Sequence, residues 1–150
     1  MNIQHIHGVP PLYTNTFLII TNAKHGIIID AAAEPGVYLK ALEEAGATLS
    51  HILLTHGHYD HVGAVAALKK ATGCKVYMDP ADAAGSQLLP LTPDVITDTW
   101  PAGDELTIDE LTFKIYHPPG HTPGGVCLWC DGVLFSGDTL FAGSCGRTDF

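Results

Sequence analysis

Basic charge is scarce in this chain. Seven lysines and arginines stand against sixteen aspartates and glutamates, a formal net charge of -9 at pH 7 over 150 residues. The basic residues form no cluster. Phosphate backbones and anionic membrane surfaces are gripped by clustered cations, so neither nucleic acid nor membrane is an expected partner. Long apolar runs are lacking too. The longest, such as "TFLII" and "HILL", are far too short to span a bilayer. The opening "MNIQHIHGVPPLY" has no basic start leading into an apolar stretch, so no export segment is read there. Four cysteines, Cys74, Cys127, Cys130 and Cys145, are too few for a disulfide scaffold. No fixed-period repeat and no low-complexity tract occurs. These absences point to a cytosolic enzyme. Hydrophobic residues make up 46% of the chain, enough for one domain over 1–150 with a core of its own.

Periodicity sets the expected layout. Residues 3–7 and 13–20 read as extended, and "TNAKHG" reads as the turn before a further strand, "GIIIDAA". Three isoleucines in a row predict a strand covered on both faces. "EPGVYLKALEEAG" then takes up helical spacing. Val37, Tyr38, Ala41, Leu42 and Ala45 fall on one face, Pro35 suits the first turn and Gly46 the stop. A strand over 50–56, a helix over about 61–72 and a short strand at "CKVYM" follow. Such alternation predicts an α/β layering with helices packed on sheet. Residues 79–103 carry many prolines and no clean period, and read as loop with short irregular pieces. From Glu105 the pattern becomes antiparallel hairpins, turning near Asp109–Glu110 and at Asp131–Gly132. Within "VCLWC" the odd separation puts Cys127 and Cys130 on opposite strand faces, which makes at least one of them a core residue and argues against a redox pair.

The chemistry is concentrated in "THGHYDHVG", Thr55 to Gly63. Three histidines and an aspartate occupy six positions where a strand gives way to a helix, a usual place for α/β sites. His56, His58 and Asp60 share the alternation of an extended segment, and His61 breaks it. One ion takes three or four protein ligands, so this stretch alone can contribute to two neighbouring ions. His121 in "HPPGHTPGG" and Asp138 in "LFSGDTLF" are further candidate ligands. Both follow strands and lie in compact turns. Imidazole and carboxylate donors suit zinc, and also iron or manganese. Tyr59, between the ligands, is expected to shield the site or pack beneath it. Arg147 and Asp149 are read as a salt link, and Cys145 as structural.

"THGHYDHVG", "GHTPGG" and "GDTLFAGSCGRTDF" together resemble the metallo-β-lactamase superfamily. Within it they resemble compact hydroxyacylglutathione hydrolases of the glyoxalase II type. The resemblance implies an αββα sandwich with mixed sheets and outer helices. This chain would span the first half of that domain and part of the second, incomplete after residue 150. It implies that His56, His58 and His121 hold a first divalent metal ion, that Asp60 and His61 hold a second, and that Asp138 bridges them. The family's later metal-2 histidine has no counterpart here. The implied reaction is cleavage of a small-molecule thioester, an acyl-glutathione such as lactoylglutathione, by a metal-activated hydroxide. Asp60 would also orient that nucleophile and take up its proton. The metals would be two zinc ions, with iron or manganese as alternatives. "GRTDF" is also similar to persulfide dioxygenases, which would use one iron on His56, His121 and Asp138. A non-catalytic metal-binding fragment is the third reading. An exported β-lactamase and a nuclease fit the composition less well.

Overall fold

The computed structural model describes residues 1–118, 122–136 and the backbone of 140–142. Its first half contains β1 (Asn2–His7), β2 (Asn15–Ile20), β3 (His25–Ile29), α1 (Pro35–Ala45), β4 (Thr48–Leu53), α2 (Val65–Thr72) and β5 (Lys75–Tyr77). The second half contains β6 (Glu105–Ile108), β7 (Leu111–Tyr116), β8 (Cys127–Cys130), β9 (Val133–Phe135) and β10 (Leu140–Ala142).

The strands form two five-stranded sheets. The first runs β1-β2-β3-β4-β5. Its first three strands are antiparallel, while β3, β4 and β5 run parallel, joined by the helical crossovers that parallel pairing requires. The second runs β10-β9-β8-β7-β6 and is antiparallel throughout.

Side-chain alternation explains how the layers meet. On β3, Ile27 and Ile29 point between the sheets, towards Phe113, Leu128 and Phe135. Ile28 points the other way, into a core shared with Tyr38 and Leu42 of α1 and Val65 and Leu68 of α2. All three isoleucines are buried, as the unbroken apolar run predicts. Burying one such side chain contributes roughly 1.5–3 kcal/mol. In the second sheet Leu106, Ile108, Leu111, Phe113 and Ile115 face inward, and Thr107, Thr112 and Lys114 face solvent. Both α-helices among the described residues lie on the first sheet, so three layers of the expected αββα sandwich are seen in them.

Local differences from the sequence reading have local causes. Val37 is 45% exposed rather than part of the buried helix face, which centres on Tyr38 and Leu42. Strand β4 ends at Leu53, and the first amide to leave the sheet is that of Thr55, since Leu54 still bonds to β5. Leu54 N–H donates to the Tyr77 carbonyl and Thr55 N–H to the Asp30 carboxylate. Helix α2 begins at Val65, not near 61. A 3-10 turn over Tyr59–His61 comes first, and the Ala64 amide is tied to the Ala31 carbonyl. Glycines end both helices in the left-handed region, Gly46 at φ 64° and Gly73 at φ 70°. The β8–β9 hairpin turns at Asp131 (φ 50°) and Gly132 (φ 76°), the positive pair that a two-residue turn favours. Cys127 and Cys130 are both buried on β8. Burial, then the Asp131 carboxylate, pushes the Cys130 thiol up to about 11, so it stays protonated at neutral pH.

At the amino end of β3 the two sheets are clasped. Thr21 donates its hydroxyl to Asp109 Oδ2 at 2.6 Å, His25 Nδ1 lies 2.7 Å from the same oxygen, and Asn22 N–H donates to the Glu110 carboxylate. The carboxyl ends of β3, β4 and β5 lie at the opposite end, and the described candidate ligands, His56, His58, Asp60 and His61, follow β4 there.

Candidate metal centre

Asp30 follows β3 directly, with φ at 57°, and is almost fully buried. The His56–His61 stretch follows β4. The parallel pairing of these strands brings the two segments side by side. His56 and His61 are 4% and 1% exposed, although imidazole is ordinarily only partly buried. The ring centroids of His56 and His61 are 4.1 Å apart, and those of His56 and His58 are 4.9 Å apart. His61 Nε2 lies 3.4 Å from Asp60 Oδ2. The extended alternation holds only as far as His58. The 3-10 turn then swings Asp60 and His61 round, so His61 is carried inward by the turn.

The histidines are held from behind. His61 Nδ1 lies 3.1 Å from Asp30 Oδ2, so the ring donates there and keeps Nε2 on the Asp60 side. His56 Nδ1 lies 3.1 Å from the Thr55 hydroxyl. That hydroxyl donates to Asp30 Oδ2 at 2.7 Å, and the Thr55 amide donates to Asp30 Oδ1 at 2.8 Å. Asp30 thereby collects three donors and orients two of the rings. One ligand atom each from Asp30, His56 and His61 fits within 4.8 Å, the only such trio among the described residues. Asp30 already receives those donors, which makes it the partner of the ligands rather than a ligand itself. Asp60 is steadied separately, by the Thr14 hydroxyl donating to Oδ2 at 2.8 Å.

Buried imidazoles with carboxylates on both sides form a donor set that fits a divalent cation. His56, His58, Asp60 and His61 are the described residues that would hold it. His121, Asp138, Cys145, Arg147 and Asp149 lie outside the described residues. The other described histidines take separate places: His5 with Asn15, His7 edge-on to His5, His25 with Asp109, His51 with Ser50 and His117 with Asp104. Tyr59 is 53% exposed, so it lies on the surface beside the site and not beneath it. An open recess there is lined by Val9, Pro10, Pro11, Leu12, Tyr59 and Asp60 among others.

Asp30 and Thr14 are not singled out by the sequence reading. The trace of Asp30 in the sequence is an acid ending an otherwise apolar strand, "GIIID". Thr14 leaves no trace, because its contact with Asp60 spans 46 positions.

Comparison with known proteins agrees with this geometry. The metallo-beta-lactamase superfamily profile matches residues 9–150. The chain belongs to that superfamily. Within it, a curated relative is the hydroxyacylglutathione hydrolase GloC of Haemophilus influenzae, 37% identical, aligned over all of this chain and 77% of that protein. Other relatives named hydroxyacylglutathione hydrolase are 34–38% identical, and the chain spans about half of their length, 51–56%. Among solved structures, the BLEG-1 B3 metallo-beta-lactamase superposes with a TM-score of 0.76 at 32% identity, covering 99% of this chain and 77% of that one. TTHA1623, solved in a di-iron-bound form, gives 0.70 at 32% identity over 98% and 77%. No helix among the described residues is long and apolar enough to cross a membrane.

Proposed function

We propose that the protein is a metal-dependent hydrolase of acyl-glutathione thioesters, with lactoylglutathione as the type substrate. The observation that carries this reading is the buried His56–His61 pair, backed by Asp30 and flanked by Asp60. The names of the curated relatives support the substrate class. Divalent ions in such a site make water nucleophilic at neutral pH and polarise a carbonyl. His56, His58 and His121 would hold one ion, Asp60 and His61 the second, and Asp138 would lie between them.

The chain's own residues set the conditions for that chemistry. Asp30 fixes the His61 ring so that Nε2 faces Asp60. Thr14 fixes the Asp60 carboxylate so that it can accept a proton from the attacking water and orient it. Burial of His56 and His61 keeps bulk water from competing for their nitrogens.

The test is to load the purified protein with zinc, manganese or iron, count the bound metal, and follow lactoylglutathione hydrolysis at pH 7. Turnover that depends on metal and disappears in His56→Ala is the expected result. One iron per chain with oxygen uptake on a persulfide would replace this reading with a dioxygenase. Metal binding without turnover of either substrate would leave a binding module.

A further inference from the structure

Asp82 is a fully buried carboxylate, 0% exposed, in the turn after β5. Its donors come from two separate segments. Oδ2 accepts the Gly57 amide at 2.9 Å and the Thr122 hydroxyl at 2.7 Å, while Oδ1 accepts the Gly124 amide at 2.8 Å. Gly57 lies between His56 and His58, and Thr122 directly follows His121 in the chain. A single side chain therefore bridges the His56–His61 cluster and the turn that begins at Thr122. The same two segments are joined by the Val126 amide donating to the Thr55 carbonyl at 2.7 Å.

The packing at this bridge is close. A Cβ on Gly57 would lie 2.7 Å from the Asp82 carbonyl oxygen, and one on Gly124 would lie 2.7 Å from Asp79 Cβ. Both contacts are closer than real Cβ atoms approach, so both glycines are needed for the segments to meet. All three donors are neutral. A carboxylate buried among neutral donors carries a desolvation cost that a neutral side chain would avoid. Asparagine has about the same shape, yet only one of its two terminal atoms accepts. Its NH2 would face either the Gly124 amide or the Gly57 and Thr122 donors. An acceptor at both positions is what the site requires, and aspartate supplies it.

We infer that Asp82 is a positioning residue that joins the Gly57 and Thr122–Gly124 segments and so presets the metal site. The inference rests on the metal reading given above. Partners behind metal ligands typically affect metal affinity by about 10–100-fold.

The experiment measures zinc affinity by competition with a chromophoric chelator, for the full chain and for Asp82→Asn and Thr122→Val. Circular dichroism of the zinc-free proteins identifies the variants that are folded before zinc is added. Asp82→Asn should be folded and bind zinc about tenfold or more weakly, and Thr122→Val should lose a smaller factor. A folded Asp82→Asn with the affinity of the unaltered chain overturns the inference and leaves the metal reading intact. Should Asp82→Asn fail to fold, Thr122→Val decides: reduced affinity supports the inference, unchanged affinity overturns it. An unaltered chain that binds no zinc overturns the metal reading and this inference together. Amide exchange at Gly57 and Gly124 in the zinc-free protein gives an independent readout. Both amides should be protected in the unaltered chain and exchange faster in Thr122→Val.

Discussion

The two sheets bury apolar residues by different rules. In the first, β3 is covered on both faces and carries Ile27, Ile28 and Ile29 in succession. In the second, β7 is covered on one face and alternates, with Leu111, Phe113 and Ile115 inside and Thr112, Lys114 and Tyr116 outside. The doubly covered sheet is also the one whose parallel strands end together, and the described candidate ligands follow those ends. Rigidity on both faces and a shared row of strand ends give that sheet the means to hold a histidine cluster in place.

That contrast can be broken by matched substitutions. The largest effect is expected on metal binding. His61→Ala removes a buried ring that Asp30 orients, and should lower zinc affinity at least tenfold. His117→Ala, which loses only an exposed contact with Asp104 near the end of β7, should leave affinity unchanged. Equal losses in a direct titration would remove the distinction between the sheets. Next in size is stability. Ile28→Ala on β3 should cost about 2–5 kcal/mol, against a change of about 0.5 kcal/mol or less for Thr112→Ala on the solvent face of β7. Urea denaturation measures both, and similar midpoints would show that double coverage adds nothing.

The smallest effect concerns the clasp between the sheets. The Thr21 hydroxyl, and then His25, hold the Asp109 carboxyl below its ordinary value. A carboxylate with a depressed folded value adds stability above its unfolded value, and that stability is lost as pH falls through the folded one. The melting temperature of the unaltered chain should therefore exceed that of Asp109→Asn at about pH 5 and above. The gap should close as pH drops below 3.8. A gap that persists in acid would mean that the charge on Asp109 does not contribute to the clasp.

The sequence exposes local features of this molecule and conceals contacts between remote ones. The isoleucine run, the helix over Pro35–Ala45 and the hairpin turns at Asp109 and Asp131 are each decided by a few adjacent residues, and the structure has them where periodicity puts them. The histidine cluster is legible for the same reason. Its geometry is less so, because alternation assumes an extended chain and the 3-10 turn after His58 ends that. Asp30, Thr14 and Asp82 act across 31, 46 and up to 42 positions, and only the fold brings them to their partners. His121 and Asp138, readable as candidate ligands in the sequence, lie outside the described residues.

The clasp has a mechanical consequence. It pins the sandwich at the end remote from the His56–His61 cluster, as a rivet pins two plates. At the other end Asp82 and the Val126–Thr55 link draw the two halves together again. A change confined to the Thr21–Asp109 turn pair would leave the Asp82 and Val126–Thr55 links at the far end in place, so the sandwich is fastened twice.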